Sequence, residues 1–185
     1  TELFGGAAAQ AQRAPGPLWR LLHAASINRV KDQITLLRAL RLVVEQAPGV
    51  HLDWFGQDTL QGEMARLIAD LGLTGQVTLH GVQPNAALIP FFRQAHLYVQ
   101  SSRHESQGVA MVEAAAAATP TVSTAVGLAA ELAPAAACVV PVGDAEGLAA
   151  GILTLLGDDA RRVQLGQAAQ AWAVQHDADW TAATF

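Results

Sequence analysis

Hydrophobic residues follow two alternating patterns along the chain. Short apolar runs typical of buried strands are separated by longer segments in which Leu, Ile, Val and Ala recur at helical spacing. The predicted strands are residues 19–25, 50–55, 76–79, 96–100, 121–123 and 138–140. The predicted helices are residues 32–45, 60–71, 86–94, 108–118, 128–132, 145–156 and 160–176. This alternation predicts an α/β, Rossmann-like fold with a mainly parallel sheet and helices on both faces.

The first 17 residues lack either pattern. They are rich in Ala, Gly, Gln and Pro, which is typical of a linker between domains. Residues 18–185 are then predicted to form one domain, large enough for a single core. Because the chain begins at Thr1 without an initiator Met or a signal-peptide pattern, we expect it to be part of a longer protein.

Composition excludes several classes of protein. Charged residues make up 15% of the chain, against about 25% in an average soluble protein. This deficit indicates either an Ala-rich sequence or a surface that faces another domain, and both readings stay open. The net charge of -5, without a Lys or Arg cluster, argues against nucleic acid as a partner. No apolar run approaches the length of a membrane span.

The single cysteine, Cys138, lies in an apolar run, where a buried and unreactive thiol is expected. A lone cysteine allows no internal disulfide, so a reducing, cytoplasmic compartment is expected. The six histidines show no metal-ligand spacing, and we expect no bound metal or cofactor. The chain has neither a Gly-x-Ser-x-Gly nucleophile frame nor a Gly-x-Gly-x-x-Gly loop after its first strand, which disfavours a hydrolase triad and a nicotinamide dehydrogenase.

The helix predicted at residues 108–118 carries the most informative signal. Glu113 is its only polar residue, so the helix is expected to be buried on nearly all sides. An ionised carboxylate in such surroundings is costly unless a donor satisfies it. A vicinal diol such as that of a ribose would supply two O–H donors. The alternative is that Glu113 is paired with an arginine.

The start of the same helix predicts an anion site. Ser106, Gln107 and Gly108 offer backbone N–H groups that no preceding turn can use. Gly108 allows a ligand to approach the backbone, and the helix dipole favours a phosphate there. Glu105 would then project beside the group that the phosphate carries. Its alternative role is that of a solvated loop acid.

Glu105 and Glu113 are separated by seven residues, and this spacing resembles the Glu-x7-Glu motif of the retaining glycosyltransferases with the GT-B fold. The similarity spans nearly the whole chain. It includes the segments 1–4, 30–32, 55–56, 102–105, 113–114, 119–120, 126–127 and 140–144. The resemblance implies that the chain is one half of a GT-B fold, the C-terminal half that binds the donor.

The resemblance also implies roles for individual residues. Glu105 would lie against the donor sugar, Glu113 would bind the nucleotide ribose, and Lys31, the only lysine, would neutralise the leaving diphosphate. Glu105 and Lys31 are therefore the predicted catalytic residues. The predicted substrate-binding residues are Arg29, Gly56, Gly81, Val82, Ser106, Gln107, Gly108, Val109 and Glu113.

The chain departs from the family pattern at the diphosphate. An Arg usually stands five residues before the lysine, where this chain has Ser26. Arg29 could reach the same phosphates from the loop, or the Arg could have no counterpart. Further departures are Asp58, Ala118 and Leu128, each in place of a common Gly, and Gln100 in place of a common Pro.

The function implied by the resemblance is transfer of a hexose from a UDP-, GDP- or ADP-sugar to an acceptor, with retained anomeric configuration. The acceptor would bind to an N-terminal domain missing from this chain. Without that domain we expect no transfer, and any peripheral membrane contact would come from the missing half. The alternatives are a non-catalytic nucleotide-sugar-binding module and half of a GT-B-like epimerase or phosphorylase.

Overall fold

A computed structural model of the chain describes residues 18–106 and 108–176. Within them, six strands form one sheet in which every pair is parallel. The strands are β1 (Trp19–Ala24), β2 (Val50–Phe55), β3 (Val77–Gly81), β4 (Leu97–Gln100), β5 (Thr121–Thr124) and β6 (Ala137–Val140). The predicted linker at residues 1–17 and the end of the predicted domain at residues 177–185 lie outside the described residues.

Helices connect the strands and follow the last one. They are α1 (Gln33–Gln46), α2 (Glu63–Asp70), α3 (Asn85–Gln94), α4 (Val109–Ala116), α5 (Leu128–Leu132), α6 (Ala145–Gly157) and α7 (Asp159–Gln175). Every predicted strand and helix is present, mostly within two residues of its predicted ends. The predicted α/β, Rossmann-like class with a parallel sheet is confirmed.

The largest difference is at the start of α2, which begins at Glu63 rather than at residue 60. The Asp58 carboxylate accepts hydrogen bonds from the backbone N–H groups of Leu60 (2.8 Å) and Gly62 (2.6 Å). These bonds form a local turn in place of the first helical turn. Gln61 and Gly62 also have positive φ angles of 51° and 77°, which a right-handed helix does not allow.

Helix α4 is less buried at its start than its sequence predicts. Met111 and Ala114 are buried, but Val109 in the first turn is 58% exposed. At the other end the helix stops at Ala116, before the predicted residue 118, because Ala118 has a φ of 54°. The amino end of α4 is thus the part that reaches the surface.

The strand order is β3-β2-β1-β4-β5-β6. The chain builds outward from β1 to β3 and then returns to the other side of β1 with β4, where Leu22 pairs with Tyr98. The loops after β1 and β4 therefore leave the sheet in opposite directions and open a crevice between them. Ligands of such sheets bind at this switch point, beyond the carboxyl ends of the strands.

Helices cover both faces of the sheet, as predicted. Leu21 and Leu22 are neighbours on β1 and belong to different apolar clusters, because successive side chains of a strand point to opposite faces. Leu21 shares its cluster with Leu40 of α1 and Ile152 of α6. Leu22 shares the other cluster with Met111 of α4. The second cluster forms the base on which α4 rests beside the crevice.

The structure differs from the sequence analysis in the burial of the single cysteine. Cys138 is half-buried rather than fully buried, and burial raises the pKa of its thiol. Of the helices in the described part of the chain, none combines the length and the hydrophobicity that a membrane crossing requires.

Gly56 lets the ends of the first three strands meet. Its backbone N–H donates to the carbonyl oxygen of Gly81 at 2.9 Å, and its φ is 148°. A Cβ atom at this position would lie 2.0 Å from the carbonyl oxygen of Ala25. Because backbone rather than a flexible side chain blocks that space, only glycine fits here.

We expect the substitution Gly56→Ala to lower the free energy of unfolding by about 3–5 kcal/mol, since the added methyl group must displace the loop after β1. Gly72→Ala is the matched control, because Gly72 also has a positive φ, 69°, but open space around it. Gly72→Ala should lower the free energy of unfolding by only about 1–2 kcal/mol, because it adds backbone strain without a steric clash. Urea unfolding of both variants measures the difference, and equal losses would contradict the steric argument.

Candidate functional site

A cavity of about 500 Å³ opens at the crevice between β1 and β4, and we call it the switch-point cavity. This volume is within the range of small-molecule binding sites. Most of the residues predicted from the sequence line it. They are Lys31, Gly56, Val82, Glu105, Ser106, Gly108, Val109 and Glu113. Residues 31 and 113 come from distant parts of the chain, so the fold itself assembles this group.

Two predicted site residues do not line the cavity, and a third falls in the gap between the described residues. Gly81 lies next to the lining residue Val82, and its carbonyl is occupied by the Gly56 N–H. Arg29 points elsewhere, as described below. Gln107 lies outside the described residues.

Lys31 is positioned by hydrogen bonds to its backbone. Its N–H donates to Oδ1 of Asn28 at 3.0 Å, and its carbonyl accepts a hydrogen bond from the Ser101 hydroxyl at 3.0 Å. Ser101 is fully buried at the end of β4, so this second bond joins the loop after β1 to the loop after β4. The Lys31 side chain is thereby directed into the switch-point cavity.

Lys31 and Glu105 form an ion pair inside this cavity. The distance from Nζ to Oε2 is 2.5 Å, and the side chains are only 22% and 11% exposed. The other carboxylate oxygen of Glu105 accepts the N–H of Gly108, the residue before α4, at 3.3 Å. Glu105 is therefore a fixed part of the cavity and not a solvated loop acid, which was its alternative role.

Two opposing effects act on the pKa of Glu105. Burial raises the pKa, while the hydrogen bond and charge of Lys31 and the N–H groups of Gly108 and Ser106 lower it. The lowering effects win, so the pKa lies below the ordinary value of a glutamate. Glu105 is accordingly ionised at neutral pH, and its charge offsets that of Lys31.

Glu113 is in the opposite situation. Its side chain lines the switch-point cavity, and burial raises its pKa. In the part of the chain that the structure describes, no side chain or backbone group donates a hydrogen bond to its carboxylate and no arginine pairs with it. The alternative in which Glu113 is paired with an arginine is therefore not observed among the described residues. A half-buried carboxylate facing a cavity is free to accept hydrogen bonds from a ligand.

Arg29 forms a bidentate ion pair with Glu63, with N–O distances of 2.9 and 2.6 Å. Both groups lie outside the switch-point cavity, and the Arg29 side chain is 64% exposed. Ser26, at the position of the family arginine, does line the cavity. Lys31 is thus the only cationic side chain among the described residues that line it.

Gln100 is a lining residue that the sequence analysis did not assign to the site. It ends β4, is 3% exposed, and its Nε2 has no hydrogen-bond partner among the described residues. Leaving such a buried donor unpaired costs about 1–3 kcal/mol. The sequence does contain a sign of this role: Gln100 is a polar residue at the carboxyl end of an otherwise apolar strand, and ligands of parallel sheets bind beyond that end.

Asn85 and Leu88, in the first turn of α3, also line the switch-point cavity and were not predicted. They complete the end of the cavity next to Val82. No sequence pattern marks them, because their approach depends on how α3 packs beside the sheet. No group of three or more His, Cys, Asp or Glu residues suited to a metal ion occurs in residues 18–106 and 108–176.

The chain is similar in sequence to a known protein family. The family model described as glycosyl transferases group 1 matches residues 7–172. The lipopolysaccharide core biosynthesis glycosyltransferase LpsE of Rhizobium meliloti (strain 1021) is 32% identical over 136 residues, which are 67% of this chain and 36% of LpsE. The D-inositol 3-phosphate glycosyltransferase of Arthrobacter sp. (strain FB24) is 32% identical over 117 residues, 61% of this chain and 28% of that protein. The chain thus spans about a third of the length of these relatives.

Solved structures show the same fold. The C-terminal domain of the glycosyl transferase group 1 family protein LpcC from Francisella tularensis superposes with a TM-score of 0.80 at 17% identity, covering 94% of this chain and 95% of that one. Anabaena HepE, solved with UDP and glucose, superposes with a TM-score of 0.80 at 23% identity, covering 94% of this chain and 50% of that one. The chain belongs to the glycosyl transferases group 1 family and has the fold of the C-terminal domain of a GT-B glycosyltransferase.

Proposed function

We propose that this chain is the donor-binding half of a retaining glycosyltransferase that moves a hexose from a nucleoside diphosphate-sugar to an acceptor. The observation that carries the proposal is the switch-point cavity, which joins Lys31, the start of α4 and the unpartnered Glu113. These groups match the three parts of the donor: diphosphate, sugar and ribose. Two proteins with the same fold support the proposal, since HepE was solved with UDP and glucose and a TarM mutant of S. aureus was solved with UDP.

The nucleotide would bind through Glu113. A ribose presents two adjacent O–H donors, and the carboxylate has lone pairs for both. In the proposed pose the base extends toward Val82, where the Gly81–Val82 backbone contacts it as the family resemblance implies. Val82 is 69% exposed and lines the cavity, so a flat ring can cover it. The pose leaves the diphosphate between the ribose and Lys31.

The diphosphate would bind at the amino end of α4 and on Lys31. The N–H groups of Gly108 and the first turn, together with the helix dipole, favour an anion there. Lys31 Nζ would exchange part of its contact with Glu105 for a phosphate oxygen. As the bond between sugar and phosphate breaks, negative charge grows on the leaving diphosphate, and stabilising that charge is the main catalytic contribution available to Lys31.

In the proposed reaction the bond from the anomeric carbon to the phosphate oxygen breaks, and the acceptor oxygen bonds to the same face of that carbon. The acceptor proton passes to the leaving phosphate, so no protein nucleophile takes part. Glu105 would contact the sugar through the carboxylate oxygen that faces the cavity. Retention, the role of the phosphate as base and independence from a metal ion are carried over from the family.

The acceptor would bind to an N-terminal domain, and we infer that the chain alone transfers no sugar. The chain corresponds to about a third of relatives that are whole enzymes by name. Those names point to different products, since one relative is named for lipopolysaccharide core biosynthesis and the other for D-inositol 3-phosphate.

The second candidate is a non-catalytic nucleotide-sugar-binding module. The observation in its favour is that Ser26 stands in place of the family arginine and leaves Lys31 as the one cation lining the cavity within the described residues. That cation is already paired with Glu105. A weakly positive site would hold a nucleotide-sugar and contribute less to breaking its glycosyl bond.

Binding of a nucleoside diphosphate is the first test. We expect one of UDP, GDP and ADP, at a concentration of about 100 Kd, to raise the Tm of the chain by about 5–10 °C, because ligand binding stabilises only the folded state. Glu113→Ala should weaken this binding at least tenfold in calorimetry, since it removes the acceptor for two hydroxyl groups (about 1.4 kcal/mol per tenfold).

The matched control is Glu146→Ala, an exposed glutamate in the first turn of α6 and away from the cavity. Its affinity for the same nucleotide should equal that of the unaltered chain. Binding by none of the three nucleotides, or equal binding by the Glu113 and Glu146 variants, would disprove the donor-site proposal.

Glu105→Gln separates an enzyme from a binding module. In the full-length protein we expect this substitution to lower transfer by about 100-fold or more, because the charge beside the reacting sugar is lost. Affinity for the nucleoside diphosphate should stay the same or rise, since Lys31 is no longer neutralised by Glu105. Single-turnover transfer and calorimetry measure the two effects.

Glu45→Gln serves as the control, because Glu45 also forms an ion pair, with Arg41 of the same helix at 3.1 Å, and lies outside the cavity. Transfer by this variant should match that of the unaltered protein. If Glu105→Gln transfers sugar at the unaltered rate, the catalytic role of Glu105 is wrong. If the unaltered full-length protein binds a nucleotide-sugar and transfers none of it, the binding-module reading is supported instead.

A further inference from the structure

Gln100 carries a buried hydrogen-bond donor at the floor of the switch-point cavity. It is the last residue of β4, the strand beside the crevice, and is 3% exposed. Its Oε1 accepts a hydrogen bond from the Tyr98 hydroxyl at 3.2 Å, whereas its Nε2 has no partner among the described residues. Tyr98 lies two residues earlier on the same strand, so the two side chains share one face of the sheet.

Tyr98 fixes the orientation of this amide. Burial raises the pKa of the Tyr98 hydroxyl, and the negative charges of Glu105 and Glu113 raise it further. The hydroxyl therefore keeps its proton at any physiological pH and remains a donor, with Gln100 Oε1 as the nearer acceptor at 3.2 Å and the Ala24 carbonyl oxygen as the farther one at 3.5 Å. With Oε1 occupied, Nε2 is the free end of the carboxamide. The same interactions put this end of β4 within electrostatic reach of both acids of the cavity.

The fold does not need an amide at this position. The backbone of Gln100 pairs with Ser123 of β5, which any residue except proline could do. An apolar side chain of the same size would remove the unpaired donor together with the Oε1 acceptor of the Tyr98 hydroxyl. That hydroxyl has a second acceptor within reach, the Ala24 carbonyl oxygen at 3.5 Å, so the loss does not leave it unpaired.

Glu113 supplies the complementary group. Its carboxylate is an acceptor without a partner in the described part of the chain, and Gln100 Nε2 is a donor without one. Both residues line the same cavity, and they are not hydrogen-bonded to each other. A hydroxyl group satisfies both at once, because it donates its proton to a carboxylate and accepts a hydrogen bond from an amide.

We propose that Gln100 is a specificity residue whose Nε2 donates to a ribose hydroxyl that itself donates to Glu113. This inference rests on the proposed function, since it assumes a nucleotide in the switch-point cavity. The last torsion of a glutamine side chain is soft, so a rotation of the carboxamide can present Nε2 to the ligand. The Tyr98 hydroxyl then keeps an acceptor in the Ala24 carbonyl oxygen, 3.5 Å away. The site then selects ribonucleotides over the deoxynucleotide that lacks the shared hydroxyl.

The test combines a change in the protein with a change in the ligand. Affinities of the unaltered chain and of Gln100→Met are measured by calorimetry for UDP, 2′-deoxy-UDP and 3′-deoxy-UDP, or for the corresponding GDP or ADP series if that base binds more tightly. Methionine keeps the size of the side chain and removes the donor. We expect Gln100→Met to weaken the ribonucleotide about tenfold and to leave one of the two deoxynucleotides unchanged within twofold.

Two further variants complete the design. Ser102→Ala is the matched control, because the Ser102 hydroxyl is also fully buried and without a partner among the described residues but does not line the cavity. Its nucleotide affinities should equal those of the unaltered chain. Gln100→Leu repeats the test if the methionine variant does not fold, and thermal unfolding checks both.

Equal weakening of all three nucleotides by Gln100→Met would overturn the proposal, because the contact would then involve the phosphates or the base. An unchanged affinity for the ribonucleotide would overturn it as well. In both cases the unaltered chain still binds nucleotide, so the proposed function survives. If none of UDP, GDP and ADP binds the unaltered chain, the proposed function fails and the ribose assignment fails with it.

Discussion

The candidate site depends on the reversal of strand order between β1 and β4. Every described strand is parallel to its neighbours, so every connection must cross one face of the sheet, and the two halves of the sheet are wound in opposite directions from β1. At the reversal no crossing helix covers the carboxyl edge. The loop carrying Lys31 and the loop carrying Glu105 meet there, joined by the hydrogen bond from Ser101 to the Lys31 carbonyl. The sheet topology therefore explains why two loops 74 residues apart in sequence form one charged pair.

The charges of the switch-point cavity are unusual for an anion site. Lys31 is the only cation that the described residues contribute, and Glu105 already offsets it, while Glu113 adds a second negative charge. A diphosphate entering this cavity is attracted by Lys31 and by the start of α4 and repelled by two carboxylates. The pairing also keeps the charge of Lys31 from being buried alone, which would be costly. The ion pair thus stabilises the two loops and is the contact that the proposed donor would have to rearrange.

The sequence predicts the fold well because the strong alternation of strand and helix patterns is a local property. The sequence also predicts Lys31, Glu105 and Glu113 as site residues, the first through the family resemblance, Glu105 through its place before the helix start as well, and Glu113 through its place in an apolar helix; the fold brings all three to one cavity. The sequence misses the ion pair between the first two, since nothing local indicates which partners a topology brings together. Side-chain interactions also explain the other misses: the Asp58 carboxylate delays α2, and Glu63 takes Arg29 away from the cavity. Such contacts depend on the tertiary structure and leave no local pattern in the sequence.

The shortage of positive charge changes how a nucleotide-sugar would be held. Where a family arginine is replaced by Ser26, the cavity loses a charged contact to phosphate. Apart from the Lys31–Glu105 ion pair, the polar groups that line it are the start of α4, the carboxylate of Glu113 and uncharged side chains that include the amides of Gln57, Asn85 and Gln100. Hydrogen bonds of these groups have fixed directions, whereas the attraction between charges is long-ranged and weakened by salt. Under the proposed function, recognition of the donor would therefore rely more on the shape and hydroxyl pattern of the nucleoside and less on the charge of its diphosphate.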